Sequence, residues 1–161
     1  MSQGMVIVRI LGLPVPLAVS SQEHFDELLR EFLHLANADE AVRNEVPGRL
    51  LALSDELRAR FSGFTESNDA LLDDAAARGE ERIDLTYRLP AEAAPFAAQL
   101  GELLAEADRY CAAGEYLLTL TTPPAQLVYR QWYLEQFVAQ SDGAPAVSFY
   151  DWVAARERNG A

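Results

Sequence analysis

The chain has 161 residues, half of them hydrophobic and 24% charged, a balance that excludes a disordered tail and allows a folded core without disulfides or structural metals. Its net charge of −12 argues against nucleic acid and anionic membrane surfaces as partners, because both recruit Lys and Arg, and no apolar run approaches the ~20 residues that span a bilayer. All thirteen basic residues are arginine, and Cys111 is the only cysteine, which excludes an internal disulfide.

The amino-terminal MSQGMVIVRIL lacks the basic and long apolar regions of a secretion signal, so a cytoplasmic protein is expected. Residues 5–11, MVIVRIL, predict a buried strand. GLPVPLAV follows with two prolines and reads as a connection or an edge strand. Ser20 and Glu23 have capping-box spacing, which predicts a helix starting there. Phe25, Leu28, Leu29, Phe32, Leu33 and Ala36 form its apolar face, opposite His24, Glu27, Arg30, Glu31 and His34.

NADEAVRNEVPG reads as a polar connection with a helical turn, and Pro47 as the start of a second helix carrying Leu50, Leu51, Leu53, Leu57 and Phe61 as far as SGF. The acidic TESNDALLDDAAARGEER predicts a separate short helix, capped by Ser67 or Asn68 and ended by Gly79. IDLTYRL, residues 83–89, alternates as a half-buried strand does, and Pro90 ends it. Residues 91–112 repeat Phe96, Leu100, Leu103, Leu104, Ala107 and Cys111 at helical intervals, with Pro95 in the first turn and Gly114 as the stop.

EYLLTL, residues 115–120, reads as a third strand, reached from 83–89 by a right-handed crossover. TTPPAQ then opens a helix over 124–140. The expectation is an α+β domain over residues 1–161, with a small sheet of about three strands and four to six helices packed on it. Residues 141–161 form a loop and a tail whose Phe149, Tyr150, Trp152 and Val153 are suited to dock on the domain.

Nucleotide-binding loops of the G-x-x-x-x-G-K-[ST] and G-x-G-x-x-G types are absent, as is the G-x-S-x-G elbow, so no catalytic residue and no cofactor is assigned. His24, Glu27, Glu31 and His34 share one helical strip in an arrangement that includes E-x-x-H, a spacing that ligates metals in bundles. The two histidines are ten residues apart, ~15 Å along a helix, so at most the His24/Glu27 or the Glu31/His34 pair serves one ion. A solvated helix face explains the strip as well, and no metal is assigned.

VRILGLPVPLAVSSQEHFDELLREFLHLA, IDLTYRLP, LLTLTTPP and YRQWYLEQFVAQ together resemble a family of small bacterial proteins that accompany anti-sigma-type regulators, namely GHKL-class ATP-binding proteins, STAS-domain antagonists and their phosphatases. The resemblance implies a role in sigma-factor partner-switching signalling. An ATP site is not carried over, because DELRARF matches the kinase helix pattern at Glu56 and Leu57 but has Arg60 where the magnesium-binding Asn belongs.

The helix over 124–140 is apolar nearly all round, and such a helix is buried on more than one side. Either the tail with Trp152 covers the remainder, or another copy of the chain, or a partner does. The leading expectation is therefore a non-enzymatic regulatory domain that binds a protein partner or itself through Tyr129, Arg130, Trp132, Tyr133, Phe137 and Trp152. The alternative is a small-molecule sensor or enzyme with an apolar pocket between sheet and helices, lined by Tyr116, Tyr129, Trp132 or Tyr133. An exposed aromatic patch over a filled core would favour the first, and an apolar cavity with converging polar groups the second.

Overall fold

Period-two alternation becomes a pair of strands. The computed structural model describes residues 4–114, 117 and 120–160, and in it β1 (Met5–Pro14) pairs antiparallel with β2 (Arg82–Pro90). Val8, Ile10, Leu85, Tyr87 and Leu89 are buried on one face, while Ile7, Arg9, Thr86 and Arg88 lie exposed on the other. After Ile10 the next buried apolar residue is Leu13, on the wrong parity for a regular strand. An extra residue in β1 corrects this, since Ile10 pairs with Leu85 and Leu13 with Ile83. Gly12 turns the bulge with φ of 62°, and its N–H donates to Asp84 Oδ1 at 2.7 Å.

The helix α1 (Val15–Ala38) follows β1 without a break. It begins five residues before the expected capping box, and Ser20 Oγ donates instead to the Leu17 carbonyl within the helix. Pro16 in the first turn presets the helical φ, and burial of Val15 and Ala18 holds that turn, so packing outweighs the downstream cap. Leu28, Phe32 and Ala36 are buried as the spacing predicts, but Leu33 is exposed.

A short 3-10 turn, Glu40–Asn44, leads into α2 (Val46–Ala77). Gly48 in its first turn admits the Arg43 carbonyl so closely that any Cβ there would overlap it. The helix does not stop at SGF but continues for 32 residues, joining the two helices expected from the sequence. Gly63 costs about 1 kcal/mol inside a helix, less than the burial of Phe61 and Ala75 on either side returns. Asn68 is accordingly not a cap: it is buried and donates to the Thr86 carbonyl. Gly79, at φ of 72°, does end the helix, with Gly79 N bonding to Ala76 O and Glu80 N to Ala75 O.

Helices α3 (Ala93–Ala113), α4 (Pro124–Ser141) and α5 (Phe149–Gly160) complete the described structure. The third strand, expected over 115–120 as the end of a crossover from 83–89, falls mostly outside the described residues; Leu117 and Leu120 are buried and bond to one another through a turn. Among the described residues the sheet has two strands, not three, and the chain is a mostly helical α+β structure.

Apolar packing divides into two clusters. One unites the inner face of the sheet with Ala75, Tyr129, Trp132, Phe137 and Phe149. The other joins Leu28 and Phe32 of α1 to Leu50 and Leu53 of α2 and to Leu103, Leu104 and Cys111 of α3. Among the described residues, no helix is long and apolar enough to cross a membrane.

Candidate functional site

Between the two clusters lies a cavity of about 210 Å³, partly open to solvent. Its walls follow from helical and strand periodicity. Ser21, His24, Phe25 and Leu28 occupy one face of α1, and Gln126, Tyr129, Arg130, Tyr133 and Leu134 one face of α4, at the i, i+3, i+4 and i+7 spacings that stack side chains. Asn68, Asp69 and Leu72 project from α2, Leu85 and Tyr87 from alternate positions of β2, and Leu100 and Leu104 from α3.

Polar groups converge within this apolar frame. The Tyr87 and Tyr133 hydroxyls are 2.9 Å apart and share a hydrogen bond. Burial raises the phenol pKa of Tyr87, Tyr129 and Tyr133, so all three remain hydroxyls at neutral pH. Asp69 has its carboxyl pKa raised, first by partial burial and then by the neighbouring charges of Asp73 and Glu66. His24 Nε2 and Gln126 Oε1 are enclosed, and neither has a hydrogen-bond partner among the described residues. A buried polar atom left unpaired costs about 1–3 kcal/mol, so these two atoms mark places where a bound molecule has something to gain.

Arg130 is held differently. Its guanidinium donates to Asp108 Oδ2 at 3.1 Å and to Thr122 Oγ1 at 3.2 Å, while Asp108 Oδ1 accepts from both the backbone and the hydroxyl of Thr122. This ion pair ties α3 to α4 at the rim and neutralises the charge of Arg130.

The six residues singled out in the sequence separate into different surroundings. Trp132 is 0% exposed, its indole donates to the Val147 carbonyl at 2.8 Å, and its ring meets Phe149 edge-on at 5.3 Å. Tyr129 and Phe137 are buried in the same cluster, Phe137 against Tyr87 and Tyr133. Trp152 is half-buried, donates to Glu135 and lies beneath the Arg156 guanidinium. Tyr129, Arg130 and Tyr133 reach the cavity, whereas Trp132 and Phe137 do not line it. Tyr116 lies outside the described residues.

The all-round apolar helix is thus packed on several sides at once, against β1, α1, α3 and α5. Sequence reasoning missed Asn68, Asp69 and Gln126. The available signal was a polar residue at a core position, for Asn68 is seven residues from both Phe61 and Ala75.

Of the metal strip, His24 borders the cavity while His34 is exposed, and among the described residues no group of three or more His, Cys, Asp or Glu side chains comes together to hold an ion. Cys111 is buried in the other cluster, its thiol pushed up to about 11 by desolvation and by Asp108. The cavity therefore offers hydroxyl donors, one carboxyl, an imidazole, three carboxamides and a guanidinium already paired with Asp108 on an apolar lining, a set suited to holding a small amphipathic molecule. The chain matches no protein-family model, no curated protein and no solved structure.

Proposed function

We propose that the protein is a small-molecule-binding sensor whose ligand occupies the cavity between the sheet and the α1, α2, α3 and α4 helices. The observation that carries this reading is the meeting, in one apolar cavity, of three tyrosines with two enclosed polar atoms that lack partners. A cavity of about 150 Å³ takes a benzene-sized molecule, so about 210 Å³ suits a ligand built on a single ring with a short polar arm.

The regulatory role implied by the resemblance to proteins accompanying anti-sigma-type regulators fits such a sensor, with ligand occupancy governing contact with a signalling protein. Burial of Tyr129, Trp132 and Phe137 gives these side chains the work of supporting the cavity wall. Amide chemical shifts followed by NMR during titration with single-ring compounds test the proposal. Shifts concentrated at Ser21, Leu72, Gln126 and Tyr133 are expected; shifts scattered over the surface, or none, would overturn it.

A further inference from the structure

The cavity's charge points to the class of its ligand. Asp69 is exposed and stands at the mouth of the cavity, with no hydrogen bond and no arginine partner among the described residues. The groups facing it are Glu66 and Asp73 from its own helix, Tyr87 from β2 and Tyr133 from α4. His24 from α1 lines the same space. Arg130 is the one arginine among the described lining residues, and Asp108 already neutralises it.

The mouth of the space is thus bordered by an unpaired carboxyl, with the exposed Glu66 and Asp73 near it on the same helix. Three tyrosines add ring faces of negative potential and hydroxyl oxygens able to accept a hydrogen bond. Beside Asp69 an anionic group would meet a like charge, and a neutral hydroxyl would donate to the carboxylate without the help of an opposite charge. A cation would gain both a charge-assisted hydrogen bond and aromatic contact. The whole chain, at −12, adds an attractive field of the same sign.

Resting on the sensor reading above, we infer that the ligand is a small organic cation, a protonated amine on an apolar body of about one ring, with its ammonium group at Asp69 and its apolar part among Leu28, Leu72, Leu100 and Leu104. The unpaired Gln126 Oε1 offers a second acceptor to the same ammonium or to another donor on the ligand.

Three probes of equal size and different charge separate this inference from the reading beneath it: benzylamine, benzyl alcohol and benzoate, titrated into the full chain at pH 7 by calorimetry. Benzylamine is expected to bind at least tenfold more tightly than benzyl alcohol, and benzoate more weakly than either. In Asp69→Asn the preference for the amine is expected to collapse to within about twofold, with a thermal melt confirming that the variant is folded. Equal affinity for amine and alcohol in the natural chain, or an amine preference that survives Asp69→Asn, would overturn the cationic class and leave the cavity reading standing. If none of the three binds, both fall.

Discussion

At the scale of single residues, Asp69 and Trp132 represent opposite ways of using a side chain. The Asp69 carboxyl has its pKa raised in the folded protein, by burial first and by Asp73 and Glu66 next. The unfolded chain gives up this proton more readily, so stability attributable to the group is fully present below the ordinary carboxylate pKa and is lost as pH rises through the higher folded value. Asp69→Asn is therefore expected to raise the melting temperature at pH 7 and to leave it nearly unchanged at pH 3, a contrast that melts at the two pH values would read. Trp132 is the reverse, fully enclosed and bonded to Val147. Trp132→Ala is expected to cost about 3–5 kcal/mol in urea unfolding, because it leaves a cavity and strands a carbonyl.

At the scale of elements, the two-stranded sheet depends on side chains that imitate a neighbouring strand. The Gln140 carboxamide of α4 accepts from the Arg9 N–H and donates to the Arg9 carbonyl, both at 2.8 Å, and Asn68 of α2 donates to Thr86, the residue paired with Arg9. One rung of the ladder is thus closed at both ends. Gln140→Ala is expected to cost only about 1 kcal/mol, since water reaches the exposed edge, but to make the chain self-associate through the opened strand. Light scattering over a concentration series would detect this. At Gly12 the open space around an added Cβ, with Ser148 and Tyr150 no closer than 3.7 Å, means that Gly12→Ala is opposed by its positive φ and not by a clash. The expected loss is about 1–2 kcal/mol by denaturant unfolding. The sequence revealed those elements whose periodicity and punctuation agreed: both strands, and the third and fourth helices with their prolines and Gly114. It misled where one local signal met many tertiary contacts, as at the Ser20 cap and at Gly63. The cavity stayed hidden because its walls come from six elements up to about 120 residues apart, and no spacing in the chain expresses their meeting.

At the scale of the whole molecule, the two apolar clusters are held apart where a larger set of side chains would have fused them. Ser21, half-buried on the wall contributed by α1, is a site where added bulk has somewhere to go. Ser21→Leu is expected to stabilise the fold by about 1 kcal/mol and to weaken ligand binding, a trade that denaturant and titration curves would show together. The same space has a dynamic consequence. Side chains that border a cavity have fewer packing neighbours than those of a continuous core, so its walls are where the fold opens most readily. Amide hydrogens in the turns of α1 and α4 that face the cavity should exchange faster than those of the sheet, and a bound molecule or Ser21→Leu should slow them.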